Sequence, residues 1–250
     1  MEKVKFENSR DLELVGNFWS ADSEKGIVMA HGFKGSKEQY GKFTEIAEYL
    51  NQEGFNVLAF DFSGCGESED DSITIDKEVE DLRAAVDFLK DKGVERLGIL
   101  GLSQGGLVSL RYYKKHSEEV ESMVLMAPLT DALENYRKEK LSKKQRKELE
   151  QKGYTKIYKE EEGERDQFLI PEEAMKEKET VNQDELLEGV DVPVLFIQGE
   201  NDTTIKPEMT RNTVEKLDKA EMRTVEDNQY FENSIDIAAE EAAEWFSKTI

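Results

Sequence analysis

A serine stands in a glycine-rich segment that suits a nucleophile. Residues 101–106 read Gly-Leu-Ser-Gln-Gly-Gly, a G-x-S-x-G pattern centred on Ser103, and they follow an apolar run that ends at Leu100. Small residues on both sides of the serine permit a sharp turn from strand to helix, which exposes the hydroxyl at the carboxyl edge of a sheet. The sequence therefore predicts a nucleophile at Ser103, and a glycine-rich turn that only starts a helix is the alternative.

Two backbone amides are predicted to stabilise the oxyanion of an acyl-transfer intermediate. The apolar run 27–30 leads into His-Gly-Phe-Lys-Gly at 31–35, where the N–H group of Phe33 is one expected donor. The N–H group of Gln104, the residue after the serine, is the other. His31 in the same loop is interpreted as a structural residue that supports the loop.

A carboxylate follows a later apolar run. Residues 194–197 are Val-Leu-Phe-Ile, and the next segment is Gly-Glu-Asn-Asp at 199–202. In the chain order Ser, Asp, His, the acid of a catalytic triad comes at the end of such a strand. Acidic loop residues are common in this chain, so the prediction for Asp202 depends on its position after the strand.

Short apolar runs alternate with helical patterns along most of the chain. Apolar residues at 75, 79, 82, 86 and 89 recur at helical spacing, and a last amphipathic helix is predicted to begin near Asn233. Residues 4–18 predict two antiparallel strands around a turn at 8–11. This alternation predicts an α/β fold with a mostly parallel, doubly wound sheet. The predicted buried strands are 27–30, 57–60, 97–100, 123–126 and 192–197.

The alternation stops in a strongly charged segment, residues 129–187. We interpret it as a partly helical cap inserted into a single core domain made of 1–128 and 188–250, and such covers often shape a binding pocket. A charged loop that touches no ligand is the alternative. The apolar residues expected on the underside of the cap are Leu133, Tyr136, Leu141, Leu149, Tyr154, Ile157, Tyr158, Phe168, Leu169 and Ile170.

Composition narrows the expected partners. With 34 basic and 56 acidic residues the net charge is −22, which disfavours nucleic acid and anionic membrane surfaces. Neutral or cationic small molecules suffer no such repulsion, so a small-molecule substrate is expected. A single cysteine, Cys65, and two distant histidines predict neither a disulfide framework nor a metal or other cofactor, and Cys65 is interpreted as a packing residue. The charged N-terminal residues and the lack of a long apolar run predict a cytoplasmic protein. The composition does not predict its oligomeric state.

Together these motifs resemble the α/β-hydrolase superfamily, and most closely its small carboxylesterases of the cinnamoyl or feruloyl esterase type. The resemblance is carried by residues 31–33, 61–68, 101–106 and 199–202, and by the insertion after the strand ending near Met126. It implies an α/β-hydrolase fold and a serine carboxylesterase that cleaves small carboxylic esters, hydroxycinnamoyl esters among them. Lipases, thioesterases and peptidases of the superfamily share the chemistry, so the motifs leave the substrate open.

The chain departs from this family at one catalytic position. Such relatives place a histidine just before the C-terminal helix, but here residues 226–231 read Glu-Asp-Asn-Gln-Tyr-Phe, so Gln229 takes its place. A neutral amide cannot accept the serine proton near pH 7. Loss of the base costs about 10⁴ to 10⁶ in turnover, while the oxyanion hole and binding retain roughly 10³ to 10⁴ over water. The resemblance therefore predicts an esterase scaffold with impaired activity.

Several interpretations of this departure remain open. His31, or Asp227 or Glu226 with a raised pKa, is a possible replacement base. His116 is excluded because a helix of 12 residues from Gln104 separates it from the serine by roughly 18 Å. The chain is alternatively a non-catalytic ligand-binding pseudo-hydrolase, or a variant inactivated by substitution at position 229.

Overall fold

The computed structural model of the protein describes residues 1–132, 141–158 and 165–250. Its strands and helices alternate through most of the chain. The described strands are β1 (Glu2–Glu7), β2 (Glu13–Trp19), β3 (Lys25–Ala30), β4 (Asn56–Phe60), β5 (Arg96–Leu102), β6 (Ser122–Met126), β7 (Tyr154–Tyr158), β8 (Gln167–Pro171), β9 (Val194–Gly199) and β10 (Ala220–Val225). The described α-helices are α1 (Lys42–Gln52), α2 (Ile75–Asp91), α3 (Gln104–Lys115), α4 (Lys143–Lys152), α5 (Glu172–Glu179), α6 (Gln183–Leu187), α7 (Pro207–Val214) and α8 (Ile235–Thr249).

Eight of the described strands form one sheet in the order β1-β2-β4-β3-β5-β6-β9-β10. β2 is antiparallel to both β1 and β4, and every other pair in this sheet is parallel. The predicted antiparallel opening is confirmed, with Glu7 opposite Glu13 on either side of the turn. The predicted fold class, α/β with a mostly parallel sheet, is also confirmed.

Apolar side chains cover both faces of the sheet. Val28 of β3 packs in a core that includes Leu82 of α2, whereas its neighbour Ile27 packs in a second core that includes Ile46 of α1 and Phe246 of α8. Successive residues of a strand point to opposite faces, so a strand that is buried throughout must be covered on both. This double cover explains the continuous apolar runs of the central strands.

Two elements differ from the sequence prediction. The edge strand β10 is not predicted, because Glu221, Arg223 and Thr224 are exposed and interrupt its apolar pattern. The C-terminal helix begins at Ile235, two residues after the predicted start at Asn233, and Ser234 is its N-cap. The backbone N–H of Asn233 instead donates to the carboxylate of Asp227 at 2.7 Å.

The described part of the charged segment contains α4, a β7–β8 hairpin, α5 and α6. The hairpin is not predicted by the sequence pattern. Ile73 N–H donates to Leu169 O at 3.0 Å, and Ile75 N–H donates to the Glu177 carboxylate at 2.8 Å. Through these bonds β8 and α5 are attached to the chain around the start of α2, and α5 is positioned close to the elbow.

The predicted underside of this segment is only partly buried. Leu141, Leu149, Phe168 and Ile170 are buried, and Ile157 and Leu169 are half-buried. For Tyr154 and Tyr158 the prediction is wrong, since both side chains, at the two ends of β7, are exposed to solvent. Leu133 and Tyr136 lie outside the described residues.

Among the described residues, no helix is both long and apolar enough to cross a membrane. The longest, α2, has 17 residues and carries charged side chains along much of its length.

Candidate active site

Ser103 lies in a strained turn between β5 and α3, with φ 53° and ψ −112°. Close packing explains the glycines around it. A Cβ atom on Gly105 would lie 2.1 Å from the carbonyl oxygen of Ala30, and one on Gly101 would lie 2.6 Å from Oγ of Ser109. Backbone bonds hold the turn, because Ser103 N–H donates to Met126 O at 2.9 Å. Positive φ at a serine costs on the order of 1 to 3 kcal/mol, which the surrounding packing sustains.

The two predicted oxyanion donors both line the cavity at the serine. Gln104 is the first residue of α3, where a backbone N–H has no intrahelical partner. The loop that carries Phe33 passes close to the elbow, since a Cβ atom on Gly32 would lie 3.4 Å from Cβ of Ser103. Within the described ranges neither amide donates to another residue of the chain. Both are therefore available to an acceptor at the serine.

Gln229 lies in the loop between β10 and α8, beside the serine. Its Nε2 donates a hydrogen bond to Oγ of Ser103 at 3.1 Å. A carboxamide has no appreciable basicity near pH 7, so this contact does not activate the hydroxyl. Position 229 is thus within hydrogen-bond reach of the serine oxygen, as a general base must be.

Asp202 is buried in the loop after β9, and backbone N–H groups of the same loop donate two hydrogen bonds to one of its carboxylate oxygens. Oδ1 accepts from the N–H groups of Thr204 at 2.7 Å and Ile205 at 2.9 Å, and Oδ2 accepts from Nε2 of Gln198 at 3.3 Å. Burial raises the pKa of Asp202, and these hydrogen bonds partly oppose that shift. In the described residues no hydrogen bond joins Asp202 to Gln229. The Asp202 carboxylate is therefore hydrogen-bonded by its own loop and by Gln198, and in the described residues it does not contact position 229 through a hydrogen bond.

Gln198 is a positioning residue that the sequence analysis missed. This fully buried side chain of β9 donates to Asp202 and to Ile205 O, and its Oε1 accepts from Thr210 of α7 at 2.6 Å. It thereby links the acid's loop to strand and helix. The available signal was a glutamine directly after an apolar strand run, since a buried amide needs several partners.

The histidines are engaged elsewhere. His31 is buried, its Nδ1 bonds Gly32 O at 2.8 Å, and its Nε2 accepts from Phe62 N–H at 3.2 Å. The ring therefore connects the 31–35 loop to the segment after β4. His116 caps the far end of the unbroken helix α3, where its ring packs on Tyr112.

Asp227 does not meet the condition for a replacement base. Burial opposes its ionisation, but hydrogen bonds from Asn233, Asn228 and Ser234 outweigh burial and lower its pKa. A carboxylate that is stabilised in its charged form is a poor proton acceptor near pH 7. Its neighbour Glu226 is exposed to solvent.

A cavity of about 240 Å³ opens at Ser103, and α5 contributes Lys178 to its wall. The Lys178 side chain is buried, and its Nζ lies 3.2 Å from the centroid of the Phe33 ring. Burial lowers the pKa of Lys178 to about 7, opposed by the charges of Glu78 and Glu177. The sequence offers no signal for this lysine, because it lies in a run of charged residues.

Glu78 of α2 is buried behind the elbow. It accepts a hydrogen bond from Nε2 of Gln104 at 2.6 Å. Burial raises the pKa of Glu78 to about 8, opposed by the Gln104 hydrogen bond and the charge of Lys178. A signal was present, since Glu78 falls on the apolar face of α2 with Ile75, Val79 and Leu82.

Two other reactive groups lie away from the serine. Cys65 is buried, and burial raises its pKa well above the ordinary value, in keeping with a packing residue. Among the described residues, His116, Glu118 and Glu119 bring possible ligand atoms within 4.8 Å of one another. Glu119 already accepts from Arg83 and Tyr112. This group lies at the end of α3 opposite the elbow, so it takes no part in the site.

A mostly parallel sheet with a serine at the strand-to-helix turn defines an α/β-hydrolase. The model of the family described as serine aminopeptidase, S33, matches residues 21–158, more than half of the chain, and the chain belongs to this family. The matched region includes the serine and the oxyanion loop, and it ends before Asp202 and Gln229.

The chain is also similar to curated proteins and to solved structures. A proline iminopeptidase of Saccharolobus solfataricus is 32% identical over 115 residues, which are 43% of this chain and 34% of that protein. The chain thus spans about a third of the length of such relatives. Est1E from Butyrivibrio proteoclasticus, solved with ferulic acid, superposes with a TM-score of 0.79 at 18% identity over 98% of both chains. Esterase Pf2001 of Pyrococcus furiosus superposes with a TM-score of 0.72 at 21% identity, covering 99% of this chain and 92% of that one. At 18% and 21% identity, the similarity to these two structures establishes the fold alone.

Proposed function

We propose that this chain is a serine carboxylesterase scaffold for small carboxylic esters, in which Ser103 is the nucleophile and position 229 is the place of the base. The 3.1 Å hydrogen bond between Gln229 and Ser103 carries the proposal. It is supported by the strained elbow and by Phe33 and Gln104, the residues of the two expected oxyanion donors, which line the same cavity. The resemblance to feruloyl esterases and the ferulic acid bound to Est1E favour a hydroxycinnamoyl ester.

The proposed chemistry is acyl transfer in two steps. Oγ of Ser103 attacks the ester carbonyl carbon, and the carbonyl oxygen becomes an oxyanion held by the N–H groups of Phe33 and Gln104. Collapse of this intermediate breaks the ester C–O bond, and the alkoxide takes up a proton and leaves as the alcohol. Water then attacks the acyl-serine, which releases the carboxylic acid and restores the hydroxyl.

Gln229 slows the two proton-transfer steps of this proposed reaction. A histidine at this position would take the proton from Oγ and give it to the leaving alkoxide, while Asp202 would orient the ring. The carboxamide does neither, so both protons must be exchanged with solvent. We expect slow turnover by the unmodified chain, supplied by the oxyanion donors and by substrate binding.

A second candidate function is a ligand-binding protein without turnover. It is favoured by the direction of the Gln229–Ser103 hydrogen bond, because the hydroxyl accepts this bond from the amide, whereas it would donate a bond to a general base. This candidate predicts saturable binding of a small ester or acid with no product over many equivalents of protein. Hydrolysis by the unmodified chain that is abolished by Ser103→Ala would exclude it.

The test of the esterase proposal is the substitution Gln229→His. Hydrolysis of a short p-nitrophenyl ester is followed for the unmodified chain, for Gln229→His, and for Gln229→His combined with Ser103→Ala. The proposal expects a large rise with histidine and its loss with the serine removed. A folded Gln229→His chain that stays inert would show that position 229 is not the place of the base.

A further inference from the structure

Two exposed aromatic rings lie beside the serine cavity. Tyr230 follows Gln229 in the chain, lines the cavity and is 54% exposed. Tyr40 is also 54% exposed, and its chain neighbour Gln39 lines the same cavity. Isolated exposed rings are common on protein surfaces, whereas rings grouped at a cavity indicate a contact surface for its ligand.

Lys42, the first residue of α1, links the two rings. Its Nζ lies 5.8 Å from the centroid of the Tyr40 ring and 6.0 Å from that of the Tyr230 ring. An ammonium group at such distances is attracted to the face of an aromatic ring. The negative charges of Glu232 and Asp227 act on the same ammonium group. The cluster therefore offers a ligand its aromatic rings rather than a net positive charge.

The backbone that carries both rings has an unusual conformation. Gln39 and Tyr40 have φ of 44° and 60°, and Phe231, directly after Tyr230, has φ of 50°. Positive φ is uncommon in residues with a side chain, and such strain concentrates at functional sites. Phe231 packs in the core, whereas Tyr230 stays outside it, with its N–H bonded to Oδ1 of Asn228 at 2.7 Å. The strained turns thus leave both rings outside the core and beside the cavity.

Position 229 indicates which half of an ester would meet these rings. In the proposed reaction a base at this position takes the proton of Ser103 and gives it to the leaving alkoxide. The leaving oxygen must then lie within hydrogen-bond reach of residue 229. Tyr230 is the next residue and lines the same cavity. The alcohol half of the ester would therefore extend past residue 229 to the Tyr230 ring.

We propose that Tyr230 and Tyr40 form a contact surface for an aromatic alcohol group, so that this site selects esters of arylmethyl alcohols over esters of saturated alcohols of the same size. The placement of the alcohol rests on the proposed function, whereas binding of a free aromatic alcohol requires no turnover. Offset or edge-to-face contact between aromatic rings favours an aromatic ligand by about two- to tenfold beyond the effect of buried area.

The first test compares the binding of benzyl alcohol and cyclohexylmethanol to the unmodified chain by titration. Both carry a six-membered ring, and the saturated ring buries at least as much apolar area, so apolar burial alone does not favour benzyl alcohol. We expect benzyl alcohol to bind about two- to tenfold more tightly. This comparison needs no variant to fold.

Substitutions then assign the preference to the rings. Tyr230→Leu should reduce the ratio of the two affinities to one or below, and Tyr40→Leu should reduce it less, because Tyr230 itself lines the cavity. The matched control is Tyr158→Leu, which removes a 61% exposed tyrosine of β7 that does not line this cavity and should keep the full ratio. Equal affinities in the unmodified chain, binding of neither alcohol, or a preference that survives Tyr230→Leu would overturn the contact surface.

Two isomeric esters locate the ring during turnover. Benzyl acetate carries it on the alcohol and methyl phenylacetate on the acyl group, and kcat/KM is measured for both in Gln229→His with and without Tyr230→Leu. Loss of the tyrosine should lower kcat/KM for benzyl acetate by about two- to tenfold and change that for methyl phenylacetate less. A larger loss for methyl phenylacetate would overturn the placement of the alcohol. A preference for benzyl alcohol without hydrolysis by Gln229→His contradicts only the esterase proposal, whereas hydrolysis without that preference contradicts only the contact surface.

Discussion

Nε2 of Gln229 lies 3.1 Å from Oγ of Ser103, although 126 positions separate the two residues in the chain. The serine is held by the turn between β5 and α3, and the glutamine by the loop between β10 and α8. An amide at this distance can donate to the hydroxyl but cannot deprotonate it. If the chain acts as the proposed esterase, deprotonation of Ser103 is therefore the step that Gln229 would limit.

Gln229→His should raise the rate of ester hydrolysis by at least about 10², since loss of a general base typically costs 10⁴ or more and the recovered geometry will be imperfect. The rate should increase with pH around 6.5, as the imidazole loses its proton. Initial rates between pH 5 and 8 check both expectations. Gln229→Asn is the control and should stay at the level of the unmodified chain. A rate that rises equally in both variants would contradict the assignment.

Asp202→Asn should matter only when a histidine is present. Together with Gln229→His it should lower kcat by up to about 10⁴, because an asparagine cannot orient and stabilise the imidazolium. In the unmodified chain the same change should leave the rate within a few-fold, since Asp202 and Gln229 share no hydrogen bond among the described contacts. Rates of the four chains form a double-mutant cycle. Equal losses in both backgrounds would show that the acid does not act through position 229.

Ser103→Gly should unfold at higher urea concentration than Ser103→Ala. Both changes remove the hydroxyl, but only glycine adopts φ 53° without strain, a difference of about 1 kcal/mol. The control pair is Ser109→Gly and Ser109→Ala within α3, where alanine should be the more stable by a similar amount. The same order at both positions would mean that the elbow is not strained.

Glu78→Gln should change how stability depends on pH. The pKa of Glu78 is raised from 4.5 to about 8 by burial, so the folded chain keeps a proton that the unfolded chain releases. The unmodified chain therefore loses stability as pH rises from about 4.5 towards 8. A glutamine has no proton to retain, so the variant should gain on the order of 2 kcal/mol relative to the unmodified chain between pH 5 and 7. Urea denaturation at the two pH values measures this gain, and parallel changes would refute it.

Local patterns were sufficient for the fold and for single members of the site. Strands buried on both faces read as apolar runs, as for Val57–Phe60, and the glycines at 101 and 105 mark a turn where backbones approach closely. Where side chains are exposed, burial does not determine residue type, and the apolar pattern of the sequence does not predict the strand. The edge strand β10 and the hairpin β7–β8 are examples. The last helix begins two residues after the predicted Asn233, whose backbone N–H donates to the Asp227 carboxylate instead.

The sequence by itself determined the α/β fold, the serine at its elbow and the absence of a histidine after Asp202, because each is a property of residue type or of local periodicity. Tertiary structure decided which distant groups meet. It places Gln229 within hydrogen-bond distance of the Ser103 hydroxyl, and it gives both ring nitrogens of His31 backbone hydrogen-bond partners. It also packs Lys178 against the Phe33 ring. These contacts join loops and helices from separate parts of the chain, and their distances depend on strand order and on how the inserted segment packs. No local pattern contains that information.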